Sequence, residues 1–237
     1  MSKKKSVVLI LSGGMDSTAL LHYHLIRREP VRVLSFNYGQ RHSRELEAAT
    51  NECNRYKVPH ETVNLSQLAS LLPGSSQTDP SVDVPTGKYD EDVMKLTVVP
   101  NRNMIMLSIA LGHAIAYGFN GVSFGAHAGD HAIYPDCRPA FAKALNKAAG
   151  LCDWKKVKVY RPFLSFTKAD IVRWASDNGV DLSQTYSCYA GQERHCGKCG
   201  TCIERREAFY LAKVMDPTEY AADAPMLEDL VRNDWKP

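Results

Sequence analysis

Short apolar, β-branched runs alternate with longer stretches of helical period along most of the chain. Runs at 6–11, 31–36, 61–64, 121–125 and 157–160 have the length and composition of buried strands. Between and after them, positions 16–28, 43–56, 103–117, 138–149 and 168–178 repeat apolar residues at helical spacing. In the last of these, Thr167 and Asp170 have the spacing of a capping box, and Gly179 stands where a left-handed C-cap is wanted. Strand and helix in alternation predict βαβ units, hence an α/β fold with a doubly wound, mainly parallel sheet. Ligands of such sheets bind beyond the carboxyl ends of the strands.

One long stretch, 73–90, has neither period; a mobile lid and an idle surface insertion both fit it. The expected division is an α/β domain over 1–182 and a C-terminal, helical segment over 183–237 that holds the cysteines at 188–202.

The chain has 237 residues, 44% of them apolar and 23% charged, enough for one sizeable core and too hydrophobic for a disordered chain. No apolar run approaches the ~20 residues that cross a bilayer. Lys3-Lys4-Lys5 ahead of Val7 imitates a signal peptide, but the apolar run is short and no small-residue cleavage site follows. A solvated start feeding a strand is expected instead. The net charge of +3 is too weak to drive binding to a polyanion, and the last 22 residues are mostly acidic where charged, which would repel a phosphate backbone. Four of the seven cysteines crowd into 188–202, which points to a metal in a reducing, cytoplasmic setting.

Two motifs carry chemistry. Leu11-Ser12-Gly13-Gly14-Met15-Asp16-Ser17-Thr18 follows the first strand and opens the first helix, so backbone N–H groups and the helix dipole converge on one point suited to an anion. The glycines permit close approach, and Ser12, Ser17 and Thr18 add hydroxyls; a glycine turn with serine caps is the bland alternative. The lysine of the common NTPase loop is absent. Cys188, Cys196, Cys199 and Cys202 are separated by seven, two and two residues. Four thiolates fill a tetrahedral zinc shell with no open position, the signature of a structural site. His195 could compete as a ligand, an iron–sulfur cluster uses the same thiolates, and buried free thiols or a disulfide pair are the simplest alternatives. Arg194, Lys198, Arg205 and Arg206 would offset the charge of a tetrathiolate.

Residues 12–17 resemble the Ser-Gly-Gly-x-Asp-Ser loop of the PP-loop ATP pyrophosphatases at every fixed position. Together with Tyr38-Gly39-Gln40-Arg41-His42, Pro100-Asn101-Arg102-Asn103, Tyr134-Pro135-Asp136-Cys137-Arg138 and Ser187-Cys188-Tyr189, the likeness narrows to the 7-cyano-7-deazaguanine synthase family over residues 6 to about 213. The resemblance implies an adenine nucleotide alpha hydrolase-like fold and a ligase of queuosine precursor synthesis. That family converts 7-carboxy-7-deazaguanine and ammonia to the nitrile, with ATP and Mg2+, through adenylated carboxylate and amide intermediates. It also implies one structural zinc per chain and a homodimer.

Under that resemblance, residues 11–18 and Tyr38 hold ATP, with Ser12, Asp16 and Ser17 as the catalytic set. Arg102, Arg138, Arg161 and Lys168 are candidate cations for the substrate carboxylate, with Arg102 and Arg138 expected to bind the base together with Asp136. Asp136 fits both a reader of the guanine-like edge and a structural turn; Tyr38 and His42 fit both ligand contact and ordinary packing. No length remains for a glutaminase domain, so ammonia comes free or from a partner. The competing readings are a PP-loop tRNA-modifying enzyme, thiolase or lysidine-type, and an inert α/β domain whose cysteine knuckle docks a partner. The balanced charge favours small-molecule substrates over nucleic acid or membrane.

Overall fold

A computed structural model describes residues 5–87, 95–129 and 134–237. Five strands, β1 (Val7–Ile10), β2 (Val31–Asn37), β3 (His60–Asn64), β4 (Gly121–Ser123) and β5 (Lys158–Tyr160), form one parallel sheet in the order β3-β2-β1-β4-β5. All five expected strands are present, with ends shifted by no more than two residues. β1 is central, and Val7, Val8 and Leu9 are wholly buried, as a strand covered on both faces requires.

The five expected helices are α1 (Met15–Ile26), α2 (Arg44–Arg55), α4 (Arg102–Ala116), α5 (Pro139–Ala149) and α6 (Lys168–Asp177). The structure adds α3 (Leu68–Leu71), α7 (Gly200–Ala212) and α8 (Leu227–Arg232). Side chains alternate across the sheet. Leu9, Leu11 and Val33 pack with α1, α6 and α7, whereas Val8, Leu34 and Val122 pack with α4 and α5. The sheet is therefore doubly wound, and Ala208, Phe209 and Ala212 bring the C-terminal helix α7 into the first of these cores.

Local signals behave as the sequence predicts. Thr167 accepts from the Asp170 amide at 3.1 Å, Asp170 accepts from the Thr167 amide at 2.9 Å, and Gly179 has φ +66°. The described part of the 73–90 stretch is laid against the body: Arg41 Nε donates to the Ser76 carbonyl at 2.6 Å, and the Gly87 amide donates to Lys198 O at 2.8 Å. Residues 88–90 of that stretch lie outside the described residues. Among the described residues no helix is long and apolar enough to cross a membrane.

The sheet order places a topological switch point beyond β1. The chain leaves β1 toward β2 and β3, then returns to the other side of β1 as β4, so the connections diverge and open a crevice at the strand ends.

Beneath the sheet His24 is fully buried, with Nδ1 2.6 Å from Glu29 and Nε2 2.9 Å from Ser123. Burial pushes its imidazole from 6.5 down to about 4, against the hydrogen bond to Glu29, so at neutral pH the contact is a neutral ring on a carboxylate. The unfolded chain then takes up this proton first, and stability present above about pH 6.5 is lost as the pH falls toward 4. Melting temperature should drop across that interval, with a shallower slope in His24→Gln. A flat wild-type profile would contradict the buried neutral ring.

Candidate functional site

The crevice is a cleft of about 260 Å³ with an apolar floor and two polar ends. Its floor comes from strand ends, Ile10 of β1 and Leu11 after it, Phe36 of β2 and Phe124 after β4, together with Met106 and Leu107 of α4. At one end stands the loop that opens α1. Gly14 is the N-cap and makes no side-chain cap, so the first N–H groups of α1 keep their donors for a ligand. The hydroxyls brace one another: Ser12 Oγ and Ser17 Oγ are 3.0 Å apart, Ser17 Oγ accepts from the Ser12 amide at 3.2 Å, and Ser12 Oγ accepts from the Gly14 amide at 3.3 Å.

Gly13 explains why the loop needs its glycines. Its φ is +89°, and a Cβ there would lie 2.0 Å from the Glu45 carbonyl oxygen in the first turn of α2. Its own carbonyl accepts from the Tyr186 amide at 2.9 Å. Loop, α2 and the chain leading to the cysteines therefore meet at one residue.

Asp16 carries the electrostatics of this end. Its Oδ2 is 3.8 Å from Lys168 Nζ and 3.7 Å from His127 Nε2, while its Oδ1 is buried without a hydrogen-bond partner. Burial alone would raise this carboxyl, but Lys168 and then His127 outweigh it and hold it well below the usual range. Lys168 is also 2.7 Å from Glu204 of α7. An ionised acid with one buried oxygen unclaimed fits a bound cation or a ligand donor.

The other end is built around Arg102 at the start of α4. Asn101 precedes it in a left-handed conformation at φ 57°, and Asp136 Oδ2 accepts the Asn103 amide at 3.2 Å, capping the open helix start. Arg102 donates to Tyr38 Oη at 3.3 Å. Burial opposes its charge, but Tyr38, Tyr189, Tyr134 and Asp136 favour it, so the guanidinium stays fully ionised. Glu45 lines the same end, and burial raises its carboxyl to about 7.

Of the sequence candidates, Leu11, Ser12, Gly14, Met15, Asp16, Ser17, Tyr38, Arg102 and Lys168 line the cleft. Gly13 and Thr18 sit behind it, Thr18 buried with its amide on Gly14 O at 3.1 Å. Asp136 and Arg138 do not line it; Arg138 is the exposed N-cap of α5. Arg161 also lies outside the cleft lining and donates to Pro139 O at 3.3 Å. His42 packs its ring edge-on against Tyr186, with centroids 5.2 Å apart. Glu45, Tyr189, Asn103 and Glu204 line the cleft, although sequence reasoning gave them no role.

The sulfur atoms of Cys188, Cys196, Cys199 and Cys202 lie within 4.8 Å of one another, three of the residues buried. Tetrahedral Zn–S bonds of ~2.3 Å put sulfurs ~3.8 Å apart, and Cys196 and Cys202 are at 3.9 Å. Amides of Cys196, Lys198 and Cys199 donate to sulfur at 3.3 to 3.4 Å, the pattern that stabilises thiolates. Without a cation the four compete for one charge: contacts with Cys188, Cys199 and Cys202 drive Cys196 down, while contacts with Cys188 and Cys196 push Cys199 and Cys202 up. The quartet can therefore hold a metal ion and suits a dication. His195 stands outside it, its Nε2 accepting the Ser187 amide at 3.1 Å. Arg205 is likewise a structural tie: buried, it donates to Thr185 Oγ1 at 2.8 Å, Leu182 O at 3.1 Å and Thr218 Oγ1 at 2.6 Å.

Comparison with known proteins adds to this geometry. The family model described as queuosine biosynthesis protein QueC matches residues 6–213. The 7-cyano-7-deazaguanine synthase of Pseudoalteromonas translucida is 48% identical over 91% of this chain and 99% of its own length. That of Methanoregula boonei is 50% identical over 90% and 98%. Among solved structures, an NMN synthetase from Francisella tularensis superposes with TM-score 0.52 at 13% identity, covering 98% of this chain and 85% of that one. A 4-thiouridine synthetase in complex with RNA and bound ATP superposes with TM-score 0.51 at 18% identity, covering 98% of this chain and 52% of that one. These two likenesses concern the fold alone.

Gly13→Ala should displace the loop by more than 1 Å from α2, since the new Cβ meets a backbone carbonyl. A lower melting temperature is expected. A wild-type melting temperature in this variant would show that the close approach is dispensable.

Proposed function

The chain belongs to the queuosine biosynthesis protein QueC family, and from that membership we propose that it is a 7-cyano-7-deazaguanine synthase. It is a C–N bond-forming ligase converting 7-carboxy-7-deazaguanine and ammonia to the nitrile at the expense of ATP. The observation carrying this reading is a cleft with an uncapped, anion-ready helix start at one end and the Arg102 guanidinium at the other.

The reaction needs the same device twice. A carboxylate oxygen of the substrate attacks the α-phosphorus of ATP, and the bond to the β-phosphate oxygen breaks. Charge then grows on pyrophosphate, where the N–H groups of Met15, Asp16 and Ser17, the hydroxyls of Ser12 and Ser17, and Lys168 receive it without reorganising. Ammonia attacks the acyl carbon, AMP leaves and one N–H proton is released, giving the amide. With a second ATP, the amide oxygen attacks the α-phosphorus and pyrophosphate departs again. Loss of AMP and two N–H protons leaves the C≡N bond.

Residues 11–18 and Tyr38 form the nucleotide subsite, with the adenine on the apolar floor beyond β1 and β2. Arg102 holds the substrate carboxylate, as a cation lining the cleft, unlike Arg138 and Arg161. Mg2+ entering with ATP would add Lewis-acid charge at the phosphates, and Asp16, with its unclaimed Oδ1, is the residue fitted to hold it. Zn2+ is the ion assigned to the four cysteines, one per chain and structural, because all four coordination positions are taken. Functionally the nucleotide-binding domain spans 1–182 and the zinc-binding segment 183–237. The substrates are small molecules, and the working form is a cytoplasmic homodimer.

Incubation with ATP, Mg2+, ammonium and 7-carboxy-7-deazaguanine should yield the nitrile with two AMP and two pyrophosphate per product, read by mass spectrometry and nucleotide analysis. ATP left intact with this base but consumed on adding tRNA would replace the reading with an RNA-modifying one. Asp16→Asn and Ser17→Ala should each lower kcat by about 10²- to 10³-fold with little change in melting temperature. Purified protein should contain about one zinc per chain and aggregate with a strong chelator; iron with visible absorbance would reassign the site.

A further inference from the structure

The cleft holds one carboxylate that the phosphate chemistry leaves unused. Glu45 lies in the first turn of α2 and lines the end occupied by Arg102 and the tyrosines. Among the described residues no hydrogen bond or ion pair engages its carboxylate. The other acids of the cleft lining, Asp16 and Glu204, face Lys168, and Asp136, outside the lining, caps α4 through the Asn103 amide. Its position is fixed as well, because the Glu45 carbonyl packs on Gly13 and ties the residue to the phosphate loop. Burial raises this carboxyl to about 7 although Arg102 opposes the shift. Glu45 is half-buried, and an acceptor facing the cleft without a donor gains when a ligand brings donors.

We propose that Glu45 determines specificity for the base, accepting the ring N1–H and the exocyclic 2-amino N–H of a guanine-type edge while the adjacent Arg102 faces its oxo and carboxylate side. This rests on the function proposed above and names the subsite that recognises its substrate. A guanine-type edge presents two donors side by side, followed by an oxo acceptor that adjoins the 7-substituent. A carboxylate beside a guanidinium is the matching sequence of two acceptors and a donor. Adenine presents a donor next to an acceptor, which an ionised carboxylate does not match. Glu45 therefore selects the base and not the nucleotide.

The test compares 7-carboxy-7-deazaguanine with 7-carboxy-7-deazahypoxanthine, which lacks only the 2-amino group, in steady-state kinetics with ATP, Mg2+ and ammonium. Wild-type protein should prefer the 2-amino base by about 10²-fold in kcat/KM. Glu45→Gln, which sets an N–H against a donor edge, should lose about 10²-fold on the 2-amino base and reduce the preference below about tenfold, with KM for ATP nearly unchanged. The preference is a ratio within one protein, so a partly unfolded variant does not distort it. Glu45→Asp, retaining the charge, should keep the 2-amino base preferred. The proposal falls, with the function intact, if wild-type protein does not discriminate, if Glu45→Gln keeps the wild-type preference, or if its loss appears in KM for ATP. Absence of nitrile from wild-type protein and the 2-amino base overturns the function and the proposal together. Should Glu45→Gln fail to fold, the wild-type comparison and Glu45→Asp decide.

Discussion

The close approach of Gly13 to the first turn of α2 is the contact on which the rest of the site depends. A backbone carbonyl occupies the space where any side chain would begin. This lets the loop after β1 turn sharply enough to aim its amides into the crevice while its own carbonyl receives the Tyr186 amide. The loop after β1, the helix bearing Glu45 and the chain entering the cysteine segment are thereby referenced to one another by backbone, the least adjustable part of a protein. Catalysis by fixed dipoles requires such rigidity, since donors that must move toward a developing charge lose most of their advantage.

The cysteine quartet belongs to the same construction. Ser187 and Tyr189 flank Cys188 and both line the cleft; Thr201, Glu204 and Arg205 of α7, which begins at the quartet, line it too. A metal ion held by the four thiolates would act as a local core for a segment otherwise rich in polar residues and would fix a wall of the cleft. The antiparallel bridge between Thr86 and Cys199 extends that support to the long stretch after α3.

Much of this was legible in the sequence, for identifiable reasons. A central parallel strand is apolar on both faces, so Val7 to Ile10 announces itself, and the glycine-rich loop directly after it opens α1 at the cleft. Cysteine spacing is equally local. What escaped was tertiary. Glu45 reads as an acid at the start of a helix, where the dipole alone justifies it, and only the packing of α2 on Gly13 turns it toward the cleft. Arg102, Arg138, Arg161 and Lys168 are alike on paper; the chain path brings two of them to the cleft and leaves the other two outside it. Arg205 reads as a counter-charge for thiolates, yet its guanidinium is spent on Thr185, Leu182 and Thr218.

The order of strands also governs how such a chain assembles. β1 is hydrogen-bonded to β2 nearby but to β4 only after the chain has run past residue 120, and the Ser6 amide reaches Asn120 across 114 positions. Pairings so distant in sequence close slowly, and until they close the apolar flank of β1 lies open. The crevice has its far wall still later, at residues 187 to 205. During synthesis the glycine-rich loop after β1 therefore emerges first and becomes useful last, and an N-terminal fragment carries the full motif without a cleft. For this architecture the ribosome's schedule and the enzyme's competence are separated by most of the length of the chain.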